Sequence, residues 1–272
     1  CKRSNPLVVG VGRGEHFVAS DVSALLPYTN KVIYLGDDEL AELKCDSVSV
    51  SHLEKKTPVR KGVSEIHWTV EEAEKSGFAH FMLKEIYEQP RVLETILRKR
   101  INHRNEIQFD TIDSTVEARL KRTDKIFAVS CGTAYHAGLV FDYLVEDLAK
   151  IPAEAHVSSE FRYSAPLIRK NDAAIFITQS GETADTLAAL RLAKEKGALT
   201  IAIVNVVGST IAREADAVIY THAGPEIGVA STKAYLAQLM TLALFSIYLG
   251  LLRKQISKSQ FHGLIQAAAK IP

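Results

Sequence analysis

Residues 171–206 read NDAAIFITQSGETADTLAALRLAKEKGALTIAIVNV, and this stretch decides the fold class. An apolar run of strand length ends in the polar turn TQSGET at 178–183. A helical pattern follows and stops at Gly197, after which a second apolar run, LTIAIVNV, occupies 199–206. Strands that are apolar throughout, separated by helices, are typical of a parallel sheet covered on both faces.

The same alternation extends in both directions along the chain. Three further strands and three further helices are predicted, and right-handed crossovers between them give a doubly wound, five-stranded parallel α/β sheet. The predicted strands are DKIFAVS at 124–130, AEAHVSS at 153–159 and AVIYTHA at 217–223, and the predicted helices begin near 136, 209 and 228.

The N-terminal part of the chain has a β-rich pattern. Short β-branched runs at 6–12, 30–36 and 45–51 are divided by Gly, Asp and Asn turns, and 19–27 predicts a short helix. The polar stretch 57–74 is the best candidate for a domain boundary. Residues 79–101 have helical spacing, and Pro90 predicts a division into two helices.

Composition excludes several classes of function. The chain has 272 residues, 47% of them hydrophobic and 24% charged, with a net charge of +1. Such a balance does not favour nucleic acid or an anionic membrane as partner. Three cysteines without a CxxC spacing do not form a disulfide framework, and a reducing cytoplasm fits them best.

One stretch is long and apolar enough to be considered as a membrane span. Residues 234–252 read AYLAQLMTLALFSIYLGLL, but Gln238, Thr241 and Ser246 interrupt the run. A buried core helix is the favoured interpretation, and a membrane span is the alternative.

Ligands of doubly wound sheets bind beyond the carboxyl ends of the strands. The turn TQSGET lies at that position and contains three hydroxyls, an amide and a glycine. It also stands at the start of a helix, where free N–H groups attract anions. Because the turn has no lysine, it predicts a sugar monophosphate site rather than a nucleotide P-loop. The alternative is that Ser180 and Thr183 merely cap the helix.

Other candidate groups carry weaker signals. The glycine turn CGTAYH at 131–136 could bring Thr133 to the same pocket, but such turns are common in this fold class. Cys131 could be a nucleophile and His136 a base, although packing roles are favoured for both. Histidines and acids have no metal-ligand spacing.

Several long motifs resemble one family, the glucosamine-6-phosphate synthases, also called glutamine–fructose-6-phosphate aminotransferases (isomerizing). The motifs are NPLVVGVGRGEHFVASDVSALL at 5–26, HFMLKEIYEQP at 80–90, CGTAYHAG at 131–138, SEFRY at 159–163, TQSGETADT at 178–186 and EIGVASTKAY at 226–235. The resemblance covers nearly the whole chain, and the motifs occur in the family's order.

The resemblance implies a division of the chain into four parts and an internal position within a longer protein. Residues 1–70 would be the C-terminal part of an N-terminal-nucleophile glutaminase domain, and 71–105 a helical interdomain segment. Residues 106–258 would be the first sugar-isomerase (SIS) domain, and 259–272 a linker toward a second one.

The resemblance also implies a set of substrate-binding residues and no cofactor, no metal and no catalytic residue within this chain. Cys1 aligns with an internal stretch and is not the family's nucleophile. Ala134 stands where the family usually has Ser, and Thr178 where it often has Ser. The implied substrate-binding residues are Thr133, Ala134, Thr178, Gln179, Ser180, Thr183, Val229 and Ser231.

The function that the resemblance implies is conversion of fructose 6-phosphate and glutamine to glucosamine 6-phosphate and glutamate by a cytoplasmic, homo-oligomeric full-length enzyme, a dimer or tetramer. Ammonia released at the glutaminase site would pass to the sugar site. This chain would bind fructose 6-phosphate or glucosamine 6-phosphate, without nucleic acid or membrane, and would complete neither half-reaction alone. The alternative is a non-catalytic, phosphosugar-binding SIS regulatory module.

Overall fold

The N-terminal part of the chain forms two small antiparallel sheets. The computed structural model describes residues 1–3, 7–66, 74–109, 111–164 and 166–272. Strand order in the larger sheet is β2-β1-β3-β6, and β4 pairs with β5 as a hairpin. The elements are β1 Val8–Val11, β2 His16–Ala19, a 3₁₀ helix Val22–Ala24, β3 Lys31–Tyr34, β4 Glu39–Lys44, β5 Ser47–His52 and β6 Ser64–Glu65.

The rest of the chain is built around a five-stranded parallel sheet, as predicted from the alternating pattern. Its strand order is β11-β10-β9-β7-β8, so the direction of winding reverses between β7 and β9. The strands are β7 Ile126–Ser130, β8 Ala153–Val157, β9 Ala173–Thr178, β10 Leu199–Val204 and β11 Ala217–Tyr220.

Helices cover both faces of this sheet. Strand side chains alternate between the two layers, so that Ile126 and Ala128 join one core while Phe127 and Val129 join the other. One layer holds α1 Phe81–Arg100, α2 Ser114–Lys121, α3 Thr133–Ala149, α7 Lys233–Leu252 and α8 Lys258–Ala268. The other holds α4 Ser158–Tyr163, α5 Ala184–Glu195 and α6 Thr210–Glu214.

Helix α7 is the apolar stretch for which a core helix and a membrane span were the alternatives. By length and composition it could cross a membrane, but 61% of its apolar window is buried inside the protein. Its residues Ala237, Leu244 and Phe245 are fully buried against the sheet and α3. The core helix is therefore the interpretation that the structure supports.

The prediction of two helices divided at Pro90 is wrong. Helix α1 runs unbroken from Phe81 to Arg100 with Pro90 inside it. A proline in a helix loses one backbone hydrogen bond and crowds the preceding turn. Here tertiary contacts hold both halves: Ile96 is buried on the C-terminal side, and Glu85 on the N-terminal side binds the loop before α7.

Three helices were not predicted, and two of them have cap signals in the sequence. The Asp113 side chain accepts hydrogen bonds from Thr115 and Val116 at the start of α2. Ser257 and Gln260 form a capping box at the start of α8. Helix α8 occupies most of the stretch expected as a linker, and Phe261 and Ile265 pack it onto the core. The expected boundary at 57–74 falls partly outside the described residues.

Candidate functional site

A cavity of about 240 Å³ opens at the carboxyl edge of the sheet, beyond the ends of the neighbouring strands β7 and β9. This is the topological switch point, where doubly wound sheets bind ligands. We call it the switch-point cavity; it is lined by Cys131, Thr133, Ala134, Ile177, Thr178, Gln179, Ser180, Thr183, Thr186, Ser231 and Gln238.

The 178–183 loop presents its hydroxyls to this cavity. The Oγ1 of Thr178 accepts a hydrogen bond from the N–H of Gly181 at 3.2 Å, and the Oγ of Ser180 accepts one from the N–H of Glu182 at 3.2 Å. Because both hydroxyls act as acceptors within the loop, each keeps its own proton to donate to a bound oxygen.

Two long helices begin at the cavity. Helix α5 starts after Thr183, and helix α3 starts after Gly132, which has a φ of +60°. Free N–H groups at helix N-termini carry partial positive charge and attract anions. The side chain of Thr183 makes no capping hydrogen bond, so capping does not account for this residue.

The rear of the 178–183 loop is held by the first residues of α6. The N–H of Ile211 donates to the carbonyl of Gly181 at 3.1 Å. The carboxylate of Glu182 accepts from the N–H and the hydroxyl of Thr210 at 2.7 and 2.9 Å, and Lys2 lies 3.5 Å from it. These contacts bind the carboxylate of Glu182 to residues that do not line the switch-point cavity.

Neutral donors dominate the switch-point cavity. Among its described lining residues there is no Lys, Arg, Asp or Glu. Anion attraction here would come from helix ends and hydroxyls, not from a fixed cation.

No group of three or more His, Cys, Asp or Glu side chains suited to a metal ion was found within the described parts of the chain.

A second cavity, about 400 Å³, lies between the N-terminal sheets and the loop. It shares Ser180 and Thr183 with the switch-point cavity and is bounded on the opposite side by Val8 and Tyr34. Burial, together with the carboxylate of Glu182, raises the pKa of Tyr34 to about 12, so this phenol is neutral at physiological pH.

Of the eight residues that the sequence singled out, the structure brings seven to the switch-point cavity. Val229 is not among the lining residues, because its side chain is fully exposed on the loop before α7. Ala134 is buried in the first turn of α3 and has no hydroxyl to offer, so only its backbone can reach a ligand.

Four lining residues were not among the predicted substrate-binding residues, although the sequence offered Cys131 as a possible nucleophile. Cys131 and Thr186 lie side by side, with 4.0 Å between Sγ and Oγ1. Ile177 belongs to a strand that reads as plain core. Gln238 was visible only as a polar interruption of an apolar helix, and the sequence did not say which side of that helix faces the cavity. His136 is exposed and does not line the cavity.

Comparison with known proteins bears on the fold and the family of this chain. The SIS domain family matches residues 119–248. Over 271 residues, the chain is 48% identical to the glutamine–fructose-6-phosphate aminotransferase (isomerizing) of Caldanaerobacter subterraneus subsp. tengcongensis. It is 46% identical over 272 residues to the corresponding protein of Chlorobaculum tepidum. Each match covers 100% of this chain and 44% of the relative, so the chain spans less than half their length.

A solved structure supports the same relationship. The C-terminal domain of glucosamine-fructose-6-phosphate aminotransferase from Francisella tularensis superposes with a TM-score of 0.70 at 37% identity, covering 73% of this chain and 56% of that one. A glucosamine-6-phosphate deaminase from Thermotoga maritima, at 22% identity, covers 69% of this chain and 53% of that one with a TM-score of 0.54, and it supports the fold alone. Residues 119–248 are therefore similar to the SIS domain family, and along its whole length the chain is similar to part of the glutamine–fructose-6-phosphate aminotransferases.

Proposed function

We propose that this chain binds the phosphate of fructose 6-phosphate in the switch-point cavity. The observation that carries the proposal is the convergence of two helix N-termini with the hydroxyls of Ser180 and Thr183 on one small, uncharged pocket. A phosphate monoester accepts hydrogen bonds and carries negative charge, which matches donors of this kind.

The proposal extends from phosphate binding to the complete reaction in which this binding would take part. Similarity to aminotransferases along the whole chain supports a role in converting fructose 6-phosphate and glutamine to glucosamine 6-phosphate and glutamate in the cytoplasm. In this proposal the phosphate is held by the 178–183 loop and the sugar lies toward Thr133 and Ser231. The cavity beside Tyr34 would be the side from which ammonia arrives.

The second candidate is a phosphosugar-binding regulatory module without catalysis. It shares the phosphate site but needs no N-terminal β unit packed behind that site. The ion pair of Lys2 with Glu182 favours the first candidate, because it joins the N-terminal unit to the phosphate loop.

Thermal unfolding of this chain in the presence of ligand tests the proposal. Fructose 6-phosphate at about 100 times its dissociation constant should stabilise the chain by roughly 2.7 kcal/mol, while fructose and NAD should leave the melting temperature unchanged. A folded chain that fructose 6-phosphate fails to stabilise would contradict the proposal.

A variant locates the binding. Ser180→Ala combined with Thr183→Ala should weaken binding by roughly a hundredfold or more, since each lost hydrogen bond to a charged group is worth about 1.5–3 kcal/mol. Ser257→Ala is the matched control, because Ser257 also stands at a helix start but caps α8 away from the cavity. It should lower stability by about 1 kcal/mol and leave binding unchanged.

A further inference from the structure

One lining residue of the switch-point cavity has a buried polar atom without a protein partner. Gln238 lies in the second turn of α7 and is only 3% exposed. Its Oε1 has no hydrogen-bond partner among the residues that the structure describes. A buried polar group without a partner lowers stability by about 1–3 kcal/mol, so its presence calls for an explanation.

The position of Gln238 supplies that explanation. The side chain lines the cavity together with Ser231 and the 178–183 loop. Its neighbours on α7, Ala237 and Met240, are buried in the apolar core. A ligand in the cavity is therefore the available source of a hydrogen bond for this amide.

The chemistry of an amide oxygen restricts what the partner can be. A carbonyl oxygen only accepts hydrogen bonds, and a phosphate dianion offers none to give. Sugar hydroxyls and an ammonium group are donors. Donors at the 178–183 loop and an acceptor on α7 thus define the two ends of the site.

We propose that Gln238 is a specificity-determining residue that accepts a hydrogen bond from a hydroxyl or amino group of the sugar, orienting a phosphosugar with its phosphate on the 178–183 loop. This inference rests on the proposed function, because it assigns the second end of the same site. The hydrogen bond would also select among phosphate monoesters, since a ligand without a donor near Gln238 leaves Oε1 unpaired.

Gln238→Met tests the inference, because methionine keeps the length and unbranched shape of glutamine without the amide. Affinity for fructose 6-phosphate should fall by about tenfold, as expected for loss of one hydrogen bond in a buried site, while affinity for inorganic phosphate stays unchanged. The ligand-free variant should be at least as stable as the unaltered chain, because the substitution removes a buried unpaired oxygen.

Gln255→Met is the matched control, since Gln255 is exposed and its Nε2 donates to the carbonyl of Arg253. Gln255→Met should change neither the affinity for fructose 6-phosphate nor the affinity for inorganic phosphate. Equal affinity of Gln238→Met and the unaltered chain for fructose 6-phosphate would overturn the inference. So would an equal loss for both ligands, or failure of the variant to fold, because either result assigns Gln238 to packing.

Failure of the proposed function is distinguishable from failure of this inference. If the unaltered chain binds neither fructose 6-phosphate nor inorganic phosphate, the phosphate site itself is wrong and the inference falls with it. If the unaltered chain binds fructose 6-phosphate but inorganic phosphate too weakly to measure, the stability of the ligand-free variant serves as the second readout. A stable variant with weakened sugar-phosphate binding supports the role of Gln238.

Discussion

Ser209 packs directly against the α-carbon of Gly181, so that a Cβ placed on Gly181 would lie 2.6 Å from the Cβ of Ser209. Gly181 also has a φ of +71°, a conformation that other residues adopt at a cost. Both features are needed for the 178–183 loop to turn its hydroxyls toward the cavity while its rear lies on the turn before α6.

We expect Gly181→Ala to destabilise the chain and to abolish the stabilisation by fructose 6-phosphate. The backbone conformation costs about 1–2 kcal/mol for alanine, and overpacking against Ser209 adds roughly 1–3 kcal/mol. Urea unfolding measures the first effect, and the ligand-induced shift in melting temperature measures the second.

Gly14→Ala is the matched control for that substitution. Gly14 has nearly the same φ, +72°, but no atom lies within 4 Å of its added Cβ. Gly14→Ala should therefore lower stability only by the conformational cost, and it should leave the binding of fructose 6-phosphate unchanged. Equal destabilisation by the two substitutions would contradict the close packing of Gly181 on Ser209.

The pair formed by Lys2 and Glu182 should contribute to stability. Lys2 is buried and Glu182 is mostly so, with side-chain exposures of 2% and 11%, so removal of the cation leaves a carboxylate in a poorly solvated place. Lys2→Met should lower the free energy of unfolding by about 2 kcal/mol, and adding Glu182→Gln should recover part of that loss.

An exposed ion pair provides the comparison. Lys44 and Glu42 lie 3.5 Å apart with side-chain exposures of 67% and 63%, and Lys44→Met should change stability by less than about 0.5 kcal/mol. The prediction is wrong if chemical denaturation gives Lys2→Met and Lys44→Met the same stability.

Glu85 should hold the loop that carries Ser231. Its Oε1 accepts hydrogen bonds from the N–H groups of Ile227 and Gly228 at 2.6 and 3.0 Å. Glu85→Ala leaves both donors without that partner and should cost about 2–3 kcal/mol, whereas Glu85→Gln keeps the acceptor and should cost less.

Hydrogen exchange of the 226–231 backbone checks the effect of Glu85. Exchange there should accelerate in Glu85→Ala and much less in Glu85→Gln. Glu94→Ala, on an exposed position of the same helix, is the control and should leave this loop unchanged. Equal protection in all variants would mean that the loop is held by other contacts.

The carboxyl group of Asp142 should make stability depend on pH. Burial raises its pKa to about 6, and the neighbouring carboxylates Glu146 and Glu154 also raise it. A hydrogen bond from the backbone N–H of Ala155 lowers the pKa but does not outweigh these effects. Between its ordinary value near 3.9 and 6 the folded chain binds a proton that the unfolded chain does not, so stability falls as pH rises through this window.

Asp142→Asn should remove that dependence. The variant should match the unaltered chain near pH 4 and be more stable by about 1–2 kcal/mol at pH 7, because one pKa unit corresponds to ~1.4 kcal/mol and part of the gain is lost to solvent screening. Asp147→Asn, whose side chain is exposed on the same helix, is the control. A constant difference between pH 4 and 7 would contradict the prediction.

The sequence by itself determined the five-stranded parallel sheet and the position of the 178–183 loop. Strands such as Ala173–Thr178 are buried on both faces, so every residue is apolar or small, and a short continuous apolar run between turn signals identifies them. The TQSGET turn carries its own chemistry, because its donors lie within six consecutive residues at a strand end.

Tertiary structure alone decided the features that depend on contacts between distant residues. Pro90 stays inside one helix because packing on both sides of it outweighs a local signal for a break. Val229 is exposed although its neighbour Ser231 lines the cavity, and Gln238 reaches the site from an apolar helix. Local sequence sets propensity and periodicity, whereas the side of a helix or loop that faces a cavity is set by packing between elements far apart in the chain.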